Sequence, residues 1–253
     1  MSSWLDSHCH INDEAFREDL DEVLERMVLA DVRKAVIISS YIDDFHYALR
    51  IEHPDIEFKR ALGVYPGDVN ELDEELFERY AALCRSDDCA AIGEIGLDYY
   101  WQKDNKQLQK EVFERQLILA QELDKPVIVH SRNAIQDTFD LMKKHRVRGV
   151  MHCYSDSAEM AREFVKLGYY ISISGTVTWK NAREPLEVIR SVPLDHLLIE
   201  TDCPYLTPAP NRGKRNEPSY VVHTGRKICE ELGLEEEGFK KQLNGNYERL
   251  FGL

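Results

Sequence analysis

His8 and His10 stand two residues apart in Asp6-Ser7-His8-Cys9-His10, on a stretch whose composition predicts a β-strand. Side chains alternate faces along a strand, so both imidazoles project to one side, within reach of one metal ion. In a chain with nine histidines that spacing alone arises by chance as readily as by function. The remaining candidates change the balance. Glu94 lies near the end of a fourth apolar run, in Gly93-Glu94-Ile95-Gly96-Leu97-Asp98, and His130 closes a fifth, after Val127-Ile128-Val129. His152 closes a sixth, in Met151-His152-Cys153-Tyr154-Ser155, and Asp202 an eighth, in Ile199-Glu200-Thr201-Asp202. Imidazoles and carboxylates are costly to bury unless they are paired or ligated. Five strands each ending on such a group point to ligation.

Four imidazoles and two carboxylates exceed the needs of one four-coordinate ion and suit two ions sharing a carboxylate. Two divalent ions about 3.5–4 Å apart clamp the attacking and leaving oxygens of a displacement and acidify a water molecule. Mixed nitrogen and oxygen ligands fit zinc, manganese or iron better than magnesium alone, and leave the choice among magnesium, manganese and zinc open. Cys9, Cys153 and Cys203 each follow a proposed ligand by one residue. With strand geometry continued through them, their thiols would face the helix layer, away from the metals. His46, His53, His145, His196 and His223 fall in helical or loop contexts that suit surface or capping roles.

Ligands this far apart meet only if regular elements carry them to one place. Segments 4–10, 34–39, 58–64, 90–95, 127–130, 149–152, 170–174 and 197–200 read as strands. Runs such as Ala35-Val36-Ile37-Ile38 are continuously apolar, as in parallel strands buried on both faces. Leu108, Val112, Phe113, Leu117, Ala120 and Leu123 line one helical face, with Lys106, Lys110, Glu114 and Gln121 opposite. Further helices are predicted over 19–30, 71–84, 134–145, 157–167, 183–190, 220–232 and 235–250, with Gly168 and Gly233 at expected C-caps.

Eight strand-then-helix units predict an α/β fold, the (β/α)8 TIM barrel, as one domain over residues 1–253. A doubly wound sheet serves the same alternation, but no Gly-rich phosphate fingerprint follows the first strand. In a barrel the C-terminal strand ends converge at one mouth, where active sites are built. The loosest stretch, 203–219, follows the eighth strand and carries Arg212-Gly213-Lys214-Arg215. Barrels often bind phosphate there, which makes Arg212 a candidate substrate contact. Arg132, two residues past His130, is a second. Tyr99, Tyr100 and Trp101 suit base stacking or, equally, an ordinary packed cluster.

With 43% hydrophobic residues over 253 positions, the chain is not disordered. It has no apolar run long enough to span a bilayer. The N-terminus lacks the basic and apolar regions of a signal peptide, and the six scattered cysteines form no CxxC pair. A cytoplasmic protein with reduced thiols is expected. Lys and Arg number 32 against 46 Asp and Glu, a net charge of −14. That balance opposes long-range attraction to nucleic acid or anionic membranes. A polyanionic substrate would need local positive charge from metal ions or a basic patch, and nothing calls for an obligate protein partner.

Taken together, these motifs resemble the TatD family of metal-dependent hydrolases and deoxyribonucleases. The likeness runs through Asp6-Ser7-His8-Cys9-His10, Gly93-Glu94-Ile95-Gly96-Leu97-Asp98, Pro126-Val127-Ile128-Val129-His130-Ser131-Arg132, His152-Cys153-Tyr154-Ser155 and Glu200-Thr201-Asp202-Cys203-Pro204. It continues in Arg212-Gly213-Lys214-Arg215-Asn216-Glu217-Pro218 and Asn246-Tyr247-Glu248-Arg249-Leu250-Phe251. The resemblance implies a TIM barrel with His8, His10 and Asp202 on one divalent ion, His130 and His152 on another, and Glu94 bridging. It implies metal-dependent phosphodiester hydrolysis of DNA, typically as an exonuclease. Tyr65, in Gly63-Val64-Tyr65-Pro66, stands where many relatives carry a GxHP-like histidine, and so becomes a candidate substrate contact.

On this reading Asp202 orients the nucleophile and accepts its proton, with Glu94 beside it, and Arg132 stabilises charge on the phosphoryl oxygens. Fold and metals alone do not separate this chemistry from its rival, an amidohydrolase-like enzyme acting on an amide, ester or lactone. The basic loop leans toward phosphate. A non-catalytic nucleic-acid module sits poorly with the acidic balance, and a structural metal is not needed by so large a core.

Overall fold

The computed structural model describes residues 2–252. Its strands are Trp4–Cys9 (β1), Val32–Ser39 (β2), Glu57–Leu62 (β3), Ala91–Asp98 (β4), Val127–Arg132 (β5), Gly149–Met151 (β6), Tyr170–Ile173 (β7) and Leu197–Ile199 (β8). Between and after them lie helices Leu20–Leu29 (α1), Ile42–Ala48 (α2), Glu74–Cys84 (α3), Lys106–Leu123 (α4), Ile135–His145 (α5), Ala158–Lys166 (α6), Arg183–Ser191 (α7), Val221–Leu232 (α8) and Glu236–Phe251 (α9). The strands form one parallel sheet in sequence order from β1 to β8. This is the TIM barrel, nearly closed.

The sequence explains these elements locally. Val36, Ile37 and Ile38 in β2 and Val127, Ile128 and Val129 in β5 are fully buried, because a parallel strand is covered on both faces. Helix α3 starts where the Asp73 side chain accepts from the Leu76 amide at 2.8 Å, and α6 starts at a Ser157 cap. Gly233, at φ +66, ends α8 as expected. Helix α2 was not anticipated. It is only seven residues long and buries Ile42, Phe45 and Ala48, a stripe too short to stand out as a period.

The seam between β8 and β1 is closed mainly beyond the strands themselves. The Asp202 amide donates to the His8 carbonyl at 3.0 Å, and the His10 amide donates to the Cys203 carbonyl at 2.9 Å. Lower down, the Asp6 carboxyl accepts from the amide and hydroxyl of Thr201 at 2.9 and 2.5 Å. Among the described residues, no helix is long and apolar enough to cross a membrane.

Candidate metal centre

β1 delivers His8 fully buried at the top of the barrel, and His10 follows just past the strand end, partly exposed. Their Nε2 atoms face each other at 3.2 Å. The seam bonds bring Asp202 to the same place: its Oδ1 lies 3.6 Å from Nε2 of both histidines. Asp202 itself sits at φ +57, a left-handed conformation uncommon for a residue with a Cβ and frequent at functional sites.

Glu94, on β4, divides its carboxylate between two groups. Oε2 lies 3.5 Å from His8 and 3.9 Å from His10, while Oε1 lies 2.8 Å from Nδ1 of His130 and 3.1 Å from Nε2 of His152. β4 and β5 can approach this closely because residue 96 is glycine. It adopts φ +141, and a Cβ there would lie 2.0 Å from the His130 carbonyl oxygen.

Metal bonds of about 2.0–2.2 Å place neighbouring ligand atoms on one ion roughly 2.9–3.6 Å apart. The separations just given cluster around that range. Two imidazole nitrogens facing each other at 3.2 Å, both aimed at the same carboxylate oxygen, form a donor set that hydrogen bonding satisfies poorly and a cation satisfies well. His8, His10 and Glu94 can grip one ion, and so can Glu94, His130 and His152. The residues therefore fit divalent metal.

Two carboxylates behind the histidines were missed from sequence. Asp98 Oδ2 lies 3.1 Å from Nε2 of His130, on the ring edge away from Glu94. Glu200 Oε1 lies 3.1 Å from Nδ1 of His152 and accepts from the Cys153 amide at 2.6 Å. Carboxylates placed this way fix the tautomer and orientation of a ligating imidazole and raise its basicity. Asp98 was within reach of sequence reasoning, since positions 94 and 98 share a strand face.

The electrostatics follow from this packing. Burial opposes charge on Glu94, but the His152, His130 and His8 imidazoles hold its carboxyl well below the usual range. Burial opposes charge on His152 too, yet Glu94 and Glu200 raise it well above the ordinary imidazole value. Against the same burial, Asp202 raises His10, and Asp98 with Glu94 raises His130. His8, buried and next to His152, is lowered.

The family described as TatD related DNase matches residues 5–252. The chain belongs to the TatD family. Within it, the chain is 42% identical to the "uncharacterized metal-dependent hydrolase YabD" of Bacillus subtilis, over 98% of this chain and 99% of that one. It is 35% identical to the similarly described YcfH of Escherichia coli, over 98% and 96%. Among solved structures, the TatD homologue YjjV of Escherichia coli superposes with a TM-score of 0.91 at 30% identity, covering 99% of this chain and 98% of that one. The chain is thus a metal-dependent hydrolase of the TatD family, with buried histidine and glutamate clusters suited to its metal.

The other anticipated residues fall around this centre. Arg132 and Tyr65 line a cavity of about 820 Å³ above it, together with His10, Glu94, His130, His152 and Asp202. The Tyr65 hydroxyl donates to Asp98 Oδ2 at 3.3 Å, and its ring meets that of His130 edge-on at 5.2 Å. Arg212 lies outside the cavity lining, stacked 3.9 Å from the Trp179 ring centre. Arg215 is taken up by an ion pair with Asp19 at 2.7 Å, so the basic run is not one continuous phosphate patch. Cys153 corrects the expectation for the thiols. β6 ends at Met151, and Cys153, at φ +43, lines the cavity, where its thiol lies 3.3 Å from Ser174 Oγ. Cys9 and Cys203 are fully buried.

Proposed function

We propose that this TatD-family chain hydrolyses phosphodiester bonds of DNA as an exonuclease. Two divalent ions would be held in the site, one by His8, His10 and Asp202 and the other by His130 and His152, with Glu94 contributing to both. The observation that carries the metal part is the divided Glu94 carboxylate, one oxygen toward each histidine pair. The observation that leans the substrate toward nucleic acid is Arg132, which lines the cavity with its guanidinium 4.2 Å over the exposed Tyr100 ring.

Bound divalent ions supply Lewis acidity and a water made acidic enough to attack at neutral pH. The chain's residues do the rest. Asp202 stands at the cavity floor with its carboxyl held below the usual range, by His10 and the other imidazoles against the effect of burial. It is therefore ionised and placed to accept the proton of the attacking water. Arg132 binds a non-bridging phosphate oxygen, in the bidentate manner that suits guanidinium. Burial keeps the Tyr65 phenol protonated, so it serves as a hydrogen-bond donor at the cavity wall.

Metal-dependent digestion of end-labelled single- and double-stranded DNA and RNA tests this reading. Trimming from one end of DNA is expected, lost with His130→Ala and with Asp202→Asn. Activity that survives both changes sinks it. Three rim carboxylates, Asp13, Asp44 and Asp68, favour a second reading, hydrolysis of an uncharged amide, ester or lactone. Turnover of acyl substrates without any of DNA would establish that alternative.

A further inference from the structure

Four large aromatic side chains are exposed among the described residues, and all lie at the barrel mouth. Tyr41, Trp101 and Tyr205 line the cavity, and Tyr100 packs edge-on against Trp101 at 4.8 Å. Exposed rings gathered at one place mark a binding surface better than scattered ones.

Charge around this mouth is divided by the order of the strands. The segments after β1, β2 and β3 bring Asp13, Asp44 and Asp68 to the cavity lining. β4 brings Glu94, the segment after it Trp101, and the end of β5 His130 and Arg132, which is the only lysine or arginine in the lining. After β6, β7 and β8 the lining carries His152 and Asp202 of the candidate metal centre and otherwise only uncharged residues. Arg17 acts on Asp44, but its guanidinium packs 4.8 Å from the Tyr47 ring and does not line the cavity.

Just beyond that last arc stands a second arginine-on-aromatic stack. Trp179, three residues past the lining residue Thr176, is fixed by its indole N–H donating to the Thr207 carbonyl at 3.1 Å. Arg212 lies 3.9 Å from its ring centre. Arg132 repeats the arrangement across the mouth, 4.2 Å from Tyr100 and 5.4 Å from Trp101.

We propose that a single DNA strand crosses the mouth from the Trp101–Arg132 shelf to the Trp179–Arg212 stack, and that Asp13, Asp44 and Asp68 form a wall keeping its phosphates off the β1–β3 side. The proposal rests on the nuclease reading above. Stacking platforms need bases whose faces are free, which a single strand offers and a duplex does not. Each platform pairs an aromatic face for a base with a guanidinium for the neighbouring phosphate. Like charges facing the strand reject the other route.

Ultraviolet crosslinking tests the path. A bromouracil-substituted, phosphorothioate-linked single strand is irradiated on the full chain in manganese, and the modified peptides are mapped by mass. Crosslinks at Trp101 and Trp179 are expected. Crosslinks at Tyr41 with none at Trp179 would overturn the path. Independently, Trp179→Ala with Arg212→Gln should weaken binding of the same strand by roughly ten-fold in fluorescence anisotropy. Asp44→Asn with Asp68→Asn should tighten it. Unchanged affinity in both double variants would also overturn the proposal. If the unaltered chain neither cuts natural DNA nor crosslinks, the nuclease reading fails. If it cuts DNA but the crosslinks fall elsewhere, only the path fails.

Discussion

The Asp98 carboxylate lies 3.1 Å from Nε2 of His130, while the opposite ring nitrogen, Nδ1, faces Glu94 at 2.8 Å. The imidazole is thus held between a carboxylate that orients it and the pocket where metal is expected. Asp98 has a further role: its Oδ1 accepts the amides of Tyr100 and Trp101, each at 2.9 Å. Asp98→Asn should lower affinity for divalent metal about 10- to 100-fold, as loss of such a partner typically does. Calorimetric titration of metal into chelator-treated protein measures this. Wild-type affinity in the variant would refute an orienting role.

Protons and metal compete for the same nitrogens. His10, His130 and His152 all have imidazoles raised above the ordinary value, by neighbouring carboxylates that outweigh burial. Below those raised values the rings are protonated and unable to ligate, so metal binding must displace protons. Apparent affinity should therefore fall as pH drops through the raised imidazole range and rise as pH climbs through it. Titrations in buffers of different ionisation enthalpy count the protons released. Zero release near neutral pH would contradict the arrangement.

Chelation should stop hydrolysis without unfolding the chain. The buried strands of β2 and β5 and the fully buried Leu197, Leu198 and Ile199 of β8 form a core that does not depend on the ligands. Far-ultraviolet circular dichroism before and after chelation is expected to superimpose. Collapse of the spectrum would make the metal structural.

Gly96→Ala should be among the most damaging single changes. A methyl there meets backbone, 2.0 Å from the His130 carbonyl oxygen, at a φ of +141 that side chains rarely adopt. A loss of about 4 kcal/mol or more is expected, in the range reserved for severe mechanisms. Urea denaturation measures it. A variant of wild-type stability would mean that β4 and β5 separate at little cost.

The candidate ligands were legible because each lies within or at the end of an apolar run, where burial makes such a group conspicuous. The eight strands were legible for the same reason: a parallel strand covered on both faces carries few polar residues. Strand ends were harder to place. β4 and β5 run on to Asp98 and Arg132, past the apolar residues, because backbone pairing such as Asp98 with Arg132 continues where side chains have turned polar. Arg212 lies 3.9 Å from the Trp179 ring centre, a pairing of distant residues that its place in the sequence did not disclose. The 203–219 loop has no periodicity from which its path could be read.

By itself the sequence determined the alternation of strands and helices and which groups stand at the strand ends, because solvation and side-chain alternation act locally. Only the tertiary structure decided that Asp202 meets His8 and His10, that Glu94 turns one oxygen to each histidine pair, and that Asp98 and Glu200 stand behind the rings. Those relations depend on how the β8–β1 seam and the β4–β5 contact close, and that closure is set by packing among residues far apart in the chain.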